Sequence, residues 1–182
     1  QVHSRDLPLV QLSSRRDQSE TIVQSINELG FLLVEQELLS RSEIDLALAL
    51  SAEFFQLPQA QKDSVSSETA TQRKFGNVGY YRYRQETAVG ASEADLKEFI
   101  HFGRLLDPQH RLFSIYGSNP FFLRPPGFHH MLETLYSKFS VLAEETLERI
   151  ARAVSLDCGY LKDLTRDGNS ILRALHYPPV VN

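Results

Sequence analysis

The stretch FHHMLETLYSKFSVLAEETLERIARAV, residues 128–154, predicts the longest element of the chain and with it the fold class. Apolar side chains recur in it at the 3.6-residue period of an α-helix, and charged residues occupy the opposite side. Such a helix is a rod about 40 Å long, which is enough to brace one side of a sheet. The apolar stripe consists of Phe128, Leu132, Leu135, Phe139, Leu142, Thr146, Ile150 and Val154.

Short apolar runs on either side of this helix predict strands. Residues 171–177 (ILRALHY) follow it and stop at two prolines, and residues 96–102 (LKEFIHF) precede it. Residues 80–84 (YYRYR) alternate with the period of a strand, residues 31–34 form a compact buried strand, and residues 7–12 (LPLVQL) form an entry strand. Helices and strands together indicate an α+β protein.

Two further helices lie ahead of these strands. Ser40 and Glu43 have the spacing of a capping box, and Pro58 follows the end of the helix they begin. Its apolar face is formed by Ile44, Ala47, Leu48, Phe54 and Phe55. An earlier helix is predicted by Ile22, Ile26 and Leu29, with Asp17 or Ser19 as its cap and Gly30 as its left-handed stop.

The segments between these elements are predicted as loops. Residues 59–79 are polar and rich in serine and threonine, and residues 103–127 contain four prolines. A short helical turn is expected at residues 160–164.

Composition excludes several classes of protein. The chain has 182 residues, 42% hydrophobic and 23% charged, with a net charge of -4, as in an ordinary globular protein of about one domain. No apolar stretch has the length of a membrane span or signal sequence, and the acidic balance disfavours nucleic acid as a partner. The single cysteine, Cys158, allows no internal disulfide, so we expect a cytoplasmic protein with this residue as a small buried hydrophobe.

The ends of the chain differ from those of a complete product. It begins with Gln1, its only methionine is Met131, and it stops at Asn182 directly after a strand-like run. We therefore expect a piece of a longer protein.

Metal ligands are not evident in the sequence. A mononuclear iron site needs two histidines and a carboxylate, and a strand commonly supplies a His-x-Asp pair. None of the six histidines is followed two places later by Asp or Glu. His129 and His130 are adjacent, so on a helix they diverge by about 100° and are expected to be a surface pair. No Gly-x-Ser-x-Gly elbow or glycine-rich phosphate loop is present either.

The residues most typical of a ligand site lie at 80–84. Alternation would place Tyr80, Arg82 and Arg84 on one face and Tyr81 and Tyr83 on the other. Arginine binds carboxylates as a fork and tyrosine offers a flat wall, so Tyr81, Arg82 and Arg84 are candidates for binding an anionic substrate.

Two alternatives remain open for this strand. An ordinary half-buried strand with its arginines in water is favoured over a substrate site, and stacking of single-stranded nucleic acid is a weaker possibility. His101, on the next strand, is expected to be a partly buried histidine with a hydrogen-bond partner rather than a pocket residue.

The order of these segments resembles the isopenicillin N synthase-like family of Fe(II)- and 2-oxoglutarate-dependent oxygenases, in its N-terminal part. The matching segments include Asn119-Pro120 and the long helix. The others are LPLVQLS at 7–13, ELGFLLVE at 28–35, FFQLPQAQK at 54–62, GYYRYR at 79–84, DLKEFIHFG at 95–103 and LRALHYPPV at 172–180.

This resemblance implies a fold and a division of the chain. Family members are distorted jelly rolls, or double-stranded β-helices, with helices packed outside. Residues 7–118 would be the N-terminal region of a non-haem dioxygenase, and residues 119–182 the long bracing helix and the start of the jelly-roll core. The family's iron ligands and its Arg-x-Ser motif would follow the Tyr-Pro pair, so the iron ligands are not expected in this chain.

The resemblance also implies cofactors and site residues. The parent protein would be an oxidoreductase that uses Fe(II) and 2-oxoglutarate to oxidise a small-molecule substrate. Tyr177 would bind the co-substrate carboxylate, although Leu175 replaces the asparagine of the plant motif, and Arg173 on the same strand face would add a charge. Asn77 stands where isopenicillin N synthase has a substrate-binding arginine, so penicillin ring closure is not expected. The alternative is a non-catalytic binding or scaffold domain that lacks the iron site.

Overall fold

The computed structural model describes residues 7–66, 78–90 and 92–179 and confirms an α+β chain. Six α-helices, one π-helical turn and five strands occur in this part of the chain. The strands are β1 (Leu9–Gln11), β2 (Leu33–Glu35), β3 (Gly79–Tyr81), β4 (Glu98–Gly103) and β5 (Ile171–His176). The helices are α1 (Ser19–Gln24), α2 (Arg41–Phe55), α3 (Gln59–Asp63), α4 (Phe113–Tyr116), α5 (Phe128–Ala153) and α6 (Tyr160–Thr165).

The chain divides into two compact units, and helix α5 contributes to both. The first unit contains the described residues up to Arg41 together with Ser137–Gly168, and the second contains Ser42–Tyr136 and the residues from Asn169 onward. None of the helices in the described ranges combines the length and apolarity needed to cross a membrane.

In the first unit, β1 and β2 form a parallel two-stranded sheet that is joined by a helical segment. Helix α1 continues as a π-helical turn, Ser25–Leu29, and ends at Gly30, whose φ of 73° is the predicted left-handed stop. Val10, Ile22 and Ala151 form the buried centre of this unit. The prediction of a fully buried strand after Gly30 is wrong, because Leu33 alternates outward and is exposed.

In the second unit, β3, β4 and β5 form an antiparallel sheet with β4 in the middle. Tyr80, Ile100 and Ala174 lie side by side on one face of it. Helices α2 and α5 cover this face with aromatic side chains. The core cluster consists of Phe54, Phe55, Val65, Tyr80, Ile100, Phe102, Phe122, Phe128, Leu132 and Tyr136.

The strand at 96–102 is confirmed and ends at a polar clamp. Every residue of β4 is buried. Beyond it, the Asn119 side chain accepts a hydrogen bond from the Gly103 N–H at 2.6 Å and donates to the Gly103 carbonyl at 2.9 Å. Asn119 therefore satisfies both backbone groups where the sheet stops.

Two sequence predictions in this unit are corrected. Residues 59–63 form helix α3 instead of loop, and Lys62 is buried because its ammonium meets a buried carboxylate. On α2, Ala47, Phe54 and Phe55 are buried as predicted. Ile44 and Leu48, which the pattern assigned to the same face, are exposed. Residues 67–77, including Asn77, lie outside the described residues.

The strand predicted at 80–84 is shorter than its pattern. A turn closes it after Tyr81, because the Gln85 N–H donates to the Arg82 carbonyl at 3.1 Å and Arg84 adopts a left-handed φ of 61°. The predicted alternation of faces therefore fails beyond Tyr81. Cys158, expected to be buried, is exposed in the turn before α6.

Candidate functional site

The candidate site lies on the face of the β3–β4–β5 sheet opposite the aromatic core. The register places Tyr81 beside Phe99 and His101 beside Arg173. Because side chains alternate along each strand, these four residues and Leu175 project to the same side. The sequence analysis singled out Tyr81, Arg173 and Tyr177, and the sheet brings the first two to this face.

An aromatic pair forms the floor of this site. The Tyr81 and Phe99 rings stack with centroids 4.4 Å apart and planes 15° from parallel. The Arg173 guanidinium carbon lies 4.9 Å from the centre of the Phe99 ring, and the Phe99 side chain is completely buried. Contact with an aromatic face holds a guanidinium flat and leaves its edges for a ligand.

His101 fixes the arginine from the side. Arg173 Nε donates to His101 Nε2 at 2.6 Å, and His101 is 6% exposed. Since arginine can only donate, Nε2 must carry a lone pair, which assigns the ring proton to Nδ1. The expectation of a partly buried histidine with a hydrogen-bond partner is confirmed. With Nε engaged, the terminal nitrogens of the exposed Arg173 remain suited to a carboxylate.

Tyr177 follows the last residue of β5 and is 66% exposed. Continued alternation would place it on the same side as Arg173. No ligand-binding contact of Tyr177 is established by this position, so its role stays a prediction.

The other two arginine predictions fall elsewhere. Arg82 Nε donates to Asp63 Oδ1 at 2.8 Å, and this hydrogen bond lowers the pKa of the Asp63 carboxyl. The Arg84 guanidinium lies 5.9 Å from the centre of the Tyr83 ring. Arg82 thus contacts Asp63 and Arg84 contacts the Tyr83 ring, and the part of these two arginines in substrate binding stays a prediction.

A buried polar network lies on the core side of the same sheet, and the sequence analysis did not find it. Glu98 accepts hydrogen bonds from Lys62 Nζ at 2.7 Å and from the Tyr80 hydroxyl at 2.5 Å. His176 Nδ1 lies 2.8 Å from the other oxygen of the carboxylate. The alternation of Glu98 with Phe99 could have indicated that these two residues face opposite sides.

Burial and hydrogen bonding set the protonation states of Glu98 and Tyr80 in this network. Burial by itself raises the pKa of Glu98, but the hydrogen bonds from Lys62, Tyr80 and His176 outweigh it, so the pKa lies below its usual value. Burial and the hydrogen bond to Glu98 raise the pKa of Tyr80. The carboxylate therefore stays ionised and the phenol stays protonated near neutral pH.

The described residues do not form a metal centre. Within 7–66, 78–90 and 92–179, no group of three His, Cys, Asp or Glu side chains lies close enough to hold one ion. His129 and His130 both lie near Glu133, at 3.5 and 3.7 Å, at the start of α5.

A family model described as the non-haem dioxygenase in morphine synthesis N-terminal region matches residues 5–122. The chain is 27% identical over 168 residues to the "2-oxoglutarate-Fe(II) type oxidoreductase ppzD" of Metarhizium rileyi. That alignment covers 87% of this chain and 46% of the relative, and the alignment to ppzD of Metarhizium majus covers 52% of its length. The chain thus spans about half the length of the curated relatives it matches.

Solved structures of similar proteins share the fold. A putative 2OG-Fe(II) oxygenase family protein from Caulobacter crescentus superposes with a TM-score of 0.79 at 32% identity, over 96% of this chain and 57% of that protein. A full-length Neurospora crassa protein in complex with alpha-KG superposes with a TM-score of 0.70 at 24% identity, over 97% of this chain and 56% of that protein.

Proposed function

Because the chain belongs to the non-haem dioxygenase N-terminal family, we propose that the protein it forms part of is a 2-oxoglutarate- and Fe(II)-dependent oxidoreductase. In such an enzyme, oxidation of a small organic substrate is coupled to decarboxylation of 2-oxoglutarate, which yields succinate and carbon dioxide. The curated relatives, which carry this activity in their names, support the proposal.

One observation in this chain, the fixed position of Arg173, indicates where a carboxylate would bind. Arg173 is exposed on a sheet face and is held by His101 and Phe99, and the anchoring hydrogen bond uses Nε and neither of the terminal nitrogens. A guanidinium fixed in this way is preorganised to bind a carboxylate in a fork. The stacked Tyr81 and Phe99 rings would exclude water from one side of the bound anion.

The residues described here fit 2-oxoglutarate better than they fit iron. Arg173 and Tyr177 can hold a carboxylate, by a charge and by a hydroxyl donor respectively. The described residues offer no ligand set for a metal ion. We therefore place the iron ligands in the part of the fold that the longer relatives possess in addition to the region matched here.

The same proposal extends to the architecture. The β3–β4–β5 sheet would be the beginning of a jelly roll, whose other strands would face Tyr81, His101 and Arg173 across the substrate pocket. Residues 7–118 would then be the family's N-terminal region, and residues 119–182 the long helix and the first part of the core.

The activity is tested with the full-length protein. Succinate release should depend on added Fe(II) and 2-oxoglutarate across a panel of amino-acid and secondary-metabolite substrates. Arg173→Gln should raise the KM for 2-oxoglutarate or for the substrate, whereas Arg166→Gln, an exposed arginine paired with Asp163, should leave both unchanged. A full-length protein that binds neither iron nor 2-oxoglutarate would contradict the proposal.

A non-catalytic binding domain is the second candidate. The lack of a metal-ligand group within the described residues is the observation that favours it. The coding sequence after Asn182 discriminates the two. A His-x-Asp or His-x-Glu pair, a later histidine and an Arg-x-Ser motif would favour the enzyme, and their absence would favour the binding domain.

A further inference from the structure

A polar cavity lies in the first unit, which does not contain the sheet face described above. It has a volume of about 800 Å³ and is bordered by the loop before α1 and by the α5 segment near Arg149. Leu12 and Ile22 contribute apolar surface to it. Its charged lining includes four arginines, Arg15, Arg16, Arg149 and Arg152.

Hydrogen bonds hold the loop that carries two of these arginines. The Gln18 side chain donates to the Gln11 carbonyl and accepts from the Gln11 N–H, both at 2.9 Å, and so closes the loop at its base. From the opposite wall, Arg149 Nη2 donates to the carbonyls of Leu12 and Ser14. The loop is therefore fixed without using the side chains of Arg15 or Arg16.

The acidic residues of the lining are largely engaged by other partners. Asp17 Oδ1 accepts hydrogen bonds from the Ser19 N–H at 3.0 Å and from its hydroxyl at 2.7 Å. Glu148 lies 3.5 Å from Lys162, which is outside the lining, and 4.0 Å from Arg152, which is one of the four lining arginines. Glu145 is also in the lining and is exposed, and it adds one carboxylate.

Arg15 and Arg16 thus have no carboxylate partner among residues 7–66, 78–90 and 92–179, although both are exposed and border a concave surface. Guanidinium groups that converge on a cavity bind oxyanions as bidentate donors. Arg149 is already immobilised by the backbone carbonyls, so part of the entropic cost of ordering the site is met before a ligand arrives.

We propose that this cavity binds a small polyvalent oxyanion, either a di- or tricarboxylate or a phosphate compound. The exposed Glu145 carboxylate in the lining disfavours an extended polyanion such as nucleic acid by charge repulsion. The cavity shares no lining residue with the Arg173 face, so this proposal does not depend on the oxidoreductase activity proposed above.

Titration calorimetry on the full-length protein tests this proposal, with citrate and inorganic pyrophosphate as separate probes. Their relative affinities identify the carboxylate or phosphate class. Arg15→Gln/Arg16→Gln should weaken binding of the preferred probe at least about tenfold, the effect of losing one charge-assisted hydrogen bond. Unfolding temperature without ligand should be unchanged, since neither side chain supports the loop.

Two control variants test whether the loss of affinity is specific to Arg15 and Arg16. Arg104→Gln/Arg111→Gln removes the same two charges from the second unit and should leave the affinity unchanged. Tyr177→Phe should also leave it unchanged, although that variant is expected to weaken 2-oxoglutarate binding. Absence of saturable binding by either probe, an equal loss in the Arg104/Arg111 variant, or a loss in Tyr177→Phe would each overturn the proposal.

Discussion

Tyr177, which follows β5, is predicted to bind the carboxylate of 2-oxoglutarate through its single hydroxyl group. The strand before it places Arg173 and Leu175 on the site face. Leu175 has no polar group, so Tyr177 and Arg173 would supply the polar contacts that this strand can make to a carboxylate.

Tyr177→Phe should therefore weaken 2-oxoglutarate binding without changing the fold. Loss of one hydrogen bond to a charged acceptor costs about 1.5 to 3 kcal/mol, or on the order of 10- to 150-fold in affinity. The dissociation constant in the full-length protein is the measurement, with Tyr83→Phe as the matched control. An unchanged value would remove Tyr177 from the site and leave Arg173 as the candidate in this chain.

Glu98 has a structural role at the same scale. Its carboxylate joins α3, β3 and β5 through Lys62, Tyr80 and His176. Lys62 has a side chain only 9% exposed, so it depends on Glu98 for its counter-charge. Removing one partner from a buried ion pair leaves an uncompensated charge.

Glu98→Gln should lower the free energy of unfolding by about 3 to 5 kcal/mol at pH 7. Because the folded pKa of Glu98 is depressed, its contribution is fully present above the unfolded pKa of about 4.3 and is lost as the pH falls through the folded pKa. Denaturant unfolding at pH 7 and pH 3 measures the difference in free energy of unfolding between wild type and variant, and this difference should be smaller at pH 3. Glu53→Gln, which changes an exposed carboxylate on α2, should leave the free energy of unfolding almost unchanged at both pH values. A loss in Glu98→Gln that is the same at pH 7 and pH 3 would contradict this account.

At the scale of elements, helix α2 shows why periodicity predicts a helix better than its buried face. Ile44, Leu48 and Phe54 all fit the apolar pattern of the sequence. Of these three, only Phe54 reaches the core, where its ring centroid lies 5.7 Å from that of Phe122 and 5.3 Å from that of Phe128. Which turns of an amphipathic helix are covered depends on neighbours that local sequence does not specify.

Phe54→Ala should accordingly cost about 3 to 5 kcal/mol of unfolding free energy, since it leaves a cavity among packed aromatic rings. Leu48→Ala, on the same helix with its side chain 64% exposed, should change stability by less than about 0.5 kcal/mol. Chemical denaturation of both variants measures the difference. Equal losses would show that the pattern in the sequence, and not the packing seen here, identifies the buried face.

The sequence predicted the candidate site only in part, as it did the buried face of helix α2. Period-2 alternation correctly placed Arg173 and Leu175 on one strand face. It failed at Arg82 and Arg84 because a turn with a left-handed residue interrupts the strand, and no glycine marks that turn. Glu98 became significant only when the register of three strands was known, since two of its partners lie 36 and 78 positions away in sequence.

At the scale of the whole chain, the order of the matching segments along the sequence indicated the family. The family model confirms this resemblance over residues 5–122. The same resemblance implied that the iron ligands lie outside the chain. The scattered histidines described here offer no preorganised site that could replace them.

The 182-residue chain should therefore show no stoichiometric, saturable binding of Fe(II) or Mn(II) at neutral pH. Anaerobic calorimetry, with and without 2-oxoglutarate, provides the measurement. One tight site would contradict the expectation and direct attention to His101, His110 and His176.

The final prediction concerns the chain expressed without further residues. Among the described strands, β5 pairs with β4 alone, so one of its edges has no partner strand. Ile171, Leu175 and Tyr177 are all exposed beside that edge. An unpaired edge with neighbouring apolar side chains is a template for aggregation.

Residues 1–182 alone should consequently aggregate or remain partly unfolded. Gel filtration should show species larger than a monomer, and the hydrophobic dye ANS should bind strongly because Ile171, Leu175 and Tyr177 are exposed beside the unpaired edge. Leu175→Gln should reduce both signals, whereas Leu164→Gln, the same substitution at a more exposed leucine in α6, should reduce them less. A monomer that unfolds cooperatively and binds no dye would show instead that these residues complete a fold of their own, and would favour the non-catalytic binding domain.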